Sequence, residues 1–187
     1  MNIMIVGVGG QGTLLASRIL GNIVIEEGYD VKVSEVHGMS QRGGSVVTYV
    51  KFDKKVYSPI IDKGEADIIL AFEMLEAYRA LPYLKKGGKI IVNNQQMNPM
   101  PVIIGAQEYP KNIKEKLEEK INLECVEALK LATEAGNIKT VNVVLIGVLA
   151  KSTNIKYEKW VEVLKNTVPQ KLIDVNLKAF DLGYNLK

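Results

Sequence analysis

The sequence predicts an α/β protein: a three-layer, Rossmann-like and mostly parallel sheet with helices on both faces and a helical C-terminal lobe. Short apolar runs alternate with segments of helical periodicity, which is typical of buried parallel strands joined by helices. A glycine-rich turn directly follows the first apolar run, and the pattern from residue 127 onward is almost entirely helical. We expect residues 1–187 to form a single domain, because a chain of this length can bury its own core.

Each strand and helix is predicted from its own local pattern. Apolar or alternating runs predict strands at residues 3–6, 31–36, 45–52, 66–72, 89–93 and 122–126. Helical spacing predicts helices at residues 13–25, 73–84 and 112–120, and from 127 onward with breaks near Gly136, Thr153 and Pro169. The first helix and the strands on either side of it are expected to form a βαβ unit.

Three segments carry weaker signals. Residues 54–57 are expected to pair with the preceding strand as an antiparallel annex. The pair Gly87-Gly88 is expected to end the preceding helix, and residues 102–104 are expected to form a short edge strand. We expect the two methionines that flank Pro99 to be buried in a small satellite core, although exposure at an interface would also suit methionine.

The composition excludes several classes of protein. Lysine and arginine total 24 and aspartate and glutamate total 21, so the formal net charge is +3 and is spread along the chain. A nucleic-acid partner has little support, whereas mild basicity suits an anionic ligand. The single cysteine, Cys125, and the single histidine, His37, are too few for this chain alone to hold a 4Fe-4S cluster or a structural zinc, each of which needs about four ligands.

The same features indicate a location. One unpaired cysteine fits a reducing compartment, where Cys125 is expected to be a small core residue. Residues 1–6 carry no cationic leader, and no apolar run reaches the roughly 18 residues that cross a bilayer. We therefore expect a cytoplasmic protein with no membrane partner.

The sharpest motif is Gly7-Val8-Gly9-Gly10-Gln11-Gly12, which fits G-x-G-x-x-G between a predicted strand and a predicted helix. Glycines let a backbone approach a phosphate closely, and the first turn of a helix offers free N–H groups to an anion. The four glycines are therefore candidate cofactor-binding residues, with Gln11 as a polar contact. Glu35 lies where a ribose-binding acid is expected. The alternative is that the glycines only pack a tight turn.

A second glycine-rich stretch follows the second predicted strand, from His37 to Ser45. Its candidate binding residues are Ser40, Gln41, Arg42, Gly43 and Gly44. Their amides can form an anion nest, and Arg42 offers a bidentate fork to phosphate or carboxylate. Arg42 could instead meet a carboxylate of a partner subunit, because arginine is enriched at interfaces. His37 is a weak candidate for a general acid or base, since a histidine beside a glycine turn is more often a hydrogen-bonding loop residue.

These two motifs together resemble the gamma-type subunits of the 2-oxoacid:ferredoxin oxidoreductases, and among them the beta-type subunits of the indolepyruvate enzymes. The second motif is the more specific of the two. Later stretches are also similar: Ala66-Asp67, Glu73, Tyr109-Pro110, Ala132 to Gly136, Asn142, Gly147 and Asn176 to Gly183. The resemblance therefore spans nearly the whole chain.

The resemblance implies a share in the oxidative decarboxylation of an aryl or other 2-oxoacid to an acyl-coenzyme A, with electrons passed to ferredoxin. It implies thiamine diphosphate and 4Fe-4S clusters on a larger partner subunit, since this chain lacks a Gly-Asp-Gly segment and has one cysteine. Coenzyme A is the ligand implied for the glycine loops. The isolated chain is then expected to be inactive, to reach ferredoxin only through the complex, and to form homo-oligomers when its partner is missing.

Two other functions stay open on the residues alone. The first motif and Glu35 would suit a nicotinamide-dependent dehydrogenase, although the sequence offers no recognisable substrate domain or catalytic dyad. A non-catalytic Rossmann-like interaction module would also explain the pattern.

Overall fold

A computed structural model describes residues 1–40 and 42–186, and in that part of the chain six strands form one sheet. They are β1 (Asn2–Val8), β2 (Asp30–His37), β3 (Ser45–Asp53), β4 (Ala66–Ala71), β5 (Leu84–Asn93) and β6 (Asn122–Val126). Their order across the sheet is β2-β3-β1-β4-β5-β6. β3 is antiparallel to both of its neighbours and the other adjacent pairs are parallel, so only β3 runs against the rest. The mostly parallel sheet is confirmed.

The position of β3 corrects two predictions. β3 pairs with β1 along one edge and with β2 along the other, so the βαβ unit has a strand inserted between its two parallel strands. Residues 54–57 form no strand, and Val56 instead donates its N–H to Asp30 Oδ2 at 3.0 Å. Alternate side chains of β3 are buried: Val46, Thr48, Val50 and Phe52. β3 therefore buries the side chains of one face, and its backbone is hydrogen-bonded to a neighbouring strand on each side.

Helices cover both faces of the sheet, as predicted. The described helices are α1 (Thr13–Glu26), α2 (Met74–Ala80), α3 (Met100–Ile103), α4 (Ile113–Glu118), α5 (Ala128–Ala135), α6 (Val141–Ala150), α7 (Tyr157–Thr167) and α8 (Ile173–Tyr184). On one face, α1 packs on β1, β2 and β3, and α6 packs on β5. On the other face, α2 packs on β1, β4 and β5 and is joined by α4. α4 also packs on the edge strand β6, so the helices of this face extend from the centre of the sheet to that edge.

The C-terminal lobe is built on α6, whose residues from Asn142 to Ala150 are all buried. α6 crosses α8 at two glycines, Gly147 and Gly183, where the backbones approach very closely. A Cβ atom added at Gly183 would lie 2.1 Å from the carbonyl oxygen of Val144, so no side chain fits there. Trp160 of α7 is fully buried in the same core, and the predicted helical lobe is confirmed.

The weaker predictions between β4 and β6 were wrong. Gly87 and Gly88 lie inside β5 instead of ending a helix, next to a register shift in its pairing with β4. Residues 102–104 are not a strand, because α3 spans most of them. Pro101 is tolerated in the first turn of α3, since the N–H that proline lacks would have no hydrogen-bond partner there. Met100 is 65% exposed, so it does not belong to a satellite core.

Candidate functional site

The first glycine loop connects the end of β1 to the start of α1. Gly12 precedes the helix in a left-handed conformation with φ 88°, and α1 has no side-chain cap and no acidic residue in its first turn. The N–H groups of that turn are therefore not neutralised from within the helix, which favours an anion at this end. Gly10, at φ 105°, has no atom within 4 Å of where a Cβ would be and faces open space.

Two glycines of the first motif, Gly7 and Gly12, are required by close packing. A Cβ at Gly12 would lie 2.8 Å from Asn142 Nδ2, which donates a hydrogen bond to the Gly12 carbonyl at 3.3 Å. A Cβ at Gly7 would lie 2.9 Å from both Phe72 and the side chain of Gln11. The packing role left open by the sequence thus applies to Gly7 and Gly12, while Gly10 faces open space.

The second glycine loop is hydrogen-bonded directly to the first. The Gly9 N–H donates to the Gly44 carbonyl at 2.8 Å, and the Gly43 N–H donates to the Gly9 carbonyl at 3.2 Å. We call this pair of hydrogen bonds the clasp. A Cβ at Gly44 would lie 2.4 Å from the Ser40 carbonyl oxygen, so the loop closes this tightly only with glycine there. Gln41 lies outside the described residues.

On one side of the clasp, a cavity of about 450 Å³, cavity A, combines the first loop with β2. Its lining residues are Gly9, Gly10, Gly12, Thr13, Leu14, Glu35, His37 and Val46. The buried Thr48 donates its hydroxyl to Glu35 Oε2 at 3.2 Å, and His37 Nδ1 lies 2.9 Å from the Gly38 carbonyl oxygen. The start of α1, an acid and an imidazole therefore share one space.

The gap between the ends of β1 and β4 is closed by Gln11. Its Oε1 accepts the Val8 N–H at 2.7 Å, and its Nε2 donates to the Phe72 carbonyl at 3.1 Å. The side chains of Gln95 and Asn93 extend this amide network. In an open α/β sheet a dinucleotide binds at the point where the strand order reverses, which here lies between β1 and β4. Because the Gln11 side chain fills this gap, the arrangement disfavours the nicotinamide alternative. The predicted ligand contact of Gln11 stays a prediction, and its side-chain amide is engaged within the protein.

On the other side of the clasp, a cavity of about 530 Å³, cavity B, combines the second loop with α2 and α3. Its lining residues are Val8, Ser40, Arg42, Gly43, Gly44, Ser45, Leu75, Glu76, Arg79, Met97, Asn98, Pro99, Met100 and Ile103. The two loops thus lie side by side, but Arg42 and Ser40 face a different cavity from Glu35 and His37.

Sequence reasoning assigned no site role to two buried carboxylates that shape cavity B, although Glu73 is among the positions that carry the family resemblance. Glu76 accepts hydrogen bonds from the Ser45 hydroxyl and from Arg79 Nη1, both at 2.6 Å. Glu73 Oε2 caps α2 through the Glu76 N–H at 2.9 Å. The spacing Glu73-x-x-Glu76-x-x-Arg79 directly after a strand is the signal that could have found them.

Glu73 also holds the segment that carries α3. Its Oε1 accepts the Met97 N–H at 3.1 Å and the Tyr109 hydroxyl at 2.6 Å. Burial, together with the hydrogen bond to Glu73, raises the pKa of Tyr109 well above its usual range. Because one buried carboxylate binds groups from three segments, it fixes the wall of cavity B that bears Met97.

Within residues 1–40 and 42–186, no group of three or more His, Cys, Asp and Glu side chains is arranged to hold a metal ion. Cys125 is half-buried, and burial raises the pKa of its thiol. No helix of the described part is long and apolar enough to cross a membrane.

Comparisons with known proteins decide the family. The family model described as pyruvate ferredoxin/flavodoxin oxidoreductase matches residues 2–186. The chain belongs to this family. The indolepyruvate oxidoreductase subunit IorB of Pyrococcus horikoshii is 48% identical over 97% of this chain and 93% of that protein. The subunit of the same name from Thermococcus kodakarensis is 47% identical over the same shares.

A solved structure shows the same fold. The pyruvate oxidoreductase subunit PORC of Thermotoga maritima superposes with a TM-score of 0.75 over 98% of this chain and 94% of that chain, at 19% identity. The resemblance read from the two glycine motifs is therefore confirmed: the chain is a gamma-type subunit of a 2-oxoacid:ferredoxin oxidoreductase, and so part of a multi-subunit enzyme.

Proposed function

We propose that this subunit acts in the oxidative decarboxylation of an aryl 2-oxoacid such as indolepyruvate to the acyl-coenzyme A, with ferredoxin reduced by the whole complex. Support for the substrate class comes from the IorB relatives, which are named for indolepyruvate and match nearly the full chain. The cytoplasm is the location we expect for such a complex.

The redox groups belong to a larger partner subunit in this proposal. Thiamine diphosphate there supplies the carbanion chemistry, and 4Fe-4S clusters take up the electrons. The present chain has one cysteine, which is too few for such a cluster. Its own task is to complete the site and to bind coenzyme A through its glycine loops.

The observation that carries the coenzyme A proposal is the uncapped start of α1 in the wall of cavity A. Free N–H groups at Thr13 and beyond, with no acidic residue in the first turn, suit a phosphate oxygen. The volume of about 450 Å³ suits part of a nucleotide-bearing ligand, not all of it. Glu35 in the same cavity suits a ribose hydroxyl.

Arg42 is the cation that we propose for the second loop, with two candidate counter-charges. It can reach a phosphate of coenzyme A if the ligand extends across the clasp into cavity B. It can otherwise meet a carboxylate of the larger subunit. Both contacts would be charge-assisted hydrogen bonds, whose loss costs about 1.5–3 kcal/mol.

Calorimetric titration of the isolated chain with coenzyme A and, separately, with NAD tests the proposal at a fixed salt concentration. We expect coenzyme A to bind and Arg42→Ala to weaken it by about 1.5–3 kcal/mol. Arg18→Ala, an exposed arginine on α1 outside both cavities, is the matched control. Binding of NAD alone would overturn the proposal. Binding of coenzyme A unaffected by Arg42→Ala would assign Arg42 to the partner subunit.

A further inference from the structure

Exposed apolar side chains lie at cavity B and on the chain segments next to its lining. Met100 and Ile103 of α3 line cavity B and are each 65% exposed. Next to them in the chain, Ile104 is 68% exposed, and Met39, which precedes Ser40 of the second loop, is fully exposed. We call these four side chains and cavity B the docking face. Large apolar side chains gathered around an apolar cavity are typical of an interaction site, whereas single exposed ones are ordinary.

The docking face also carries positive charge. Arg79 is held by the buried Glu76 at 2.6 Å, yet its side chain stays 49% exposed at the cavity. Arg42 lines the same cavity, and no described carboxylate lies within 4.0 Å of its guanidinium group. The charged side chains that line cavity B are thus Arg42, Arg79 and Glu76, which together give the cavity a net positive charge.

The charge decides which kind of partner fits. A second copy of this chain, related by a two-fold axis, would place two copies of the same net-positive face against each other, and like charges at an interface are unfavourable. A small anion inside cavity B would leave the exposed side chains of Met100 and Ile103 in water. An acidic protein segment with apolar side chains satisfies both the charge and the rim.

We propose that the docking face receives a projecting segment of the larger catalytic subunit, with an apolar side chain in cavity B and an aspartate or glutamate against Arg79. The inference rests on the proposed function in that it names the subunit bound. The buried hydrogen bonds of Glu73 to Met97 and Tyr109 hold the wall in place before binding. A preformed pocket with a central anchor is typical of strong association.

Association of this chain with the co-expressed larger subunit, measured by analytical ultracentrifugation, tests the proposal. Ile103→Asp and Arg79→Gln are expected to weaken association by about tenfold or more. Ile138→Asp, at a similarly exposed isoleucine (61%) outside cavity B, is the matched control and should leave association unchanged. Arg79→Gln breaks a hydrogen bond to the buried Glu76 and could unfold the chain. Ile103 is exposed and does not take part in that pairing, so Ile103→Asp tests the docking face even in that case.

Each other outcome contradicts a stated claim. Unchanged association with Ile103→Asp overturns the docking face. Loss of self-association alone, with the larger subunit still bound, assigns the face to a second copy. Weaker coenzyme A binding by the isolated Ile103→Asp chain, with normal association, makes cavity B a ligand site. If the unsubstituted chain does not associate with the larger subunit at all, the proposed function itself fails.

Discussion

At the scale of single residues, the loop glycines form two groups. Some have open space where a Cβ would lie, and others lie so close to neighbouring atoms that a Cβ would clash. Gly10 and Gly43 have φ of 105° and 75° and no neighbour within 4 Å of a Cβ. Gly44 has no positive φ, but a Cβ added there would lie 2.4 Å from the Ser40 carbonyl oxygen. The sequence motif treats these positions alike, whereas the structure gives each a separate physical reason.

Gly44→Ala should therefore destabilise the protein through the clash with Ser40. Overpacking against backbone costs about 1–3 kcal/mol, and urea unfolding of the isolated chain measures that loss. Gly38→Ala is the control, because nothing lies within 4 Å of its Cβ position and its φ is not in the left-handed region. Equal stability of the two variants would contradict the close approach.

At the scale of elements, α7 and α8 are joined by a hydrogen bond from the Tyr157 hydroxyl to Asp181 Oδ1 at 2.5 Å. This hydrogen bond, with some burial and the nearby negative charge, raises the pKa of Tyr157 from 10.0 to about 12. The folded protein holds that proton more tightly than the unfolded chain does. The stabilisation is thus complete below pH 10 and is lost as the pH rises from 10 towards 12.

Tyr157→Phe should reduce the slope of stability against pH in that alkaline range. Chemical unfolding at several pH values between 9 and 12 measures the slope. Tyr57→Phe, on an exposed side chain elsewhere, is the control and leaves the slope unchanged. A slope that is the same with and without Tyr157 would contradict the link between α7 and α8.

Several elements could be predicted from the sequence because their signals are local. The edge strand of residues 122–126 and the helices after Gly136 follow directly from apolar periodicity. The pairing of β3 could not be predicted in this way, because alternation reveals which face is buried and not which strands lie alongside. Glu73 and Glu76 were missed for a similar reason, since their partners at Ser45, Met97 and Tyr109 are distant in sequence.

At the scale of the whole molecule, two surfaces of the sheet differ: the edge that carries the glycine loops and the face on which α2 packs. Its carboxyl edge carries both glycine loops, and the face with α2 leaves the region beside β2 and β3 without a helix. Because the chain has one cysteine, too few for a 4Fe-4S cluster, iron–sulfur chemistry depends on its complex.

The isolated chain should accordingly be colourless in the visible range. We expect a brown iron–sulfur absorbance only when the larger subunit is co-purified, because a 4Fe-4S cluster takes about four thiolates and this chain has one. Anaerobic purification of both forms, followed by visible spectra, measures this. A brown isolated chain after removal of all partner protein would contradict the division of labour.

The clasp has a thermodynamic consequence for binding at cavity A and at cavity B. Because Gly9 shares hydrogen bonds with Gly43 and with Gly44, a molecule that orders one glycine loop also restricts the other. Linkage is reciprocal, so if the catalytic subunit at cavity B changes the affinity for a nucleotide at cavity A by some factor, the nucleotide changes the affinity for that subunit by the same factor. Two backbone hydrogen bonds would then make assembly of the complex sensitive to the supply of its own acyl acceptor.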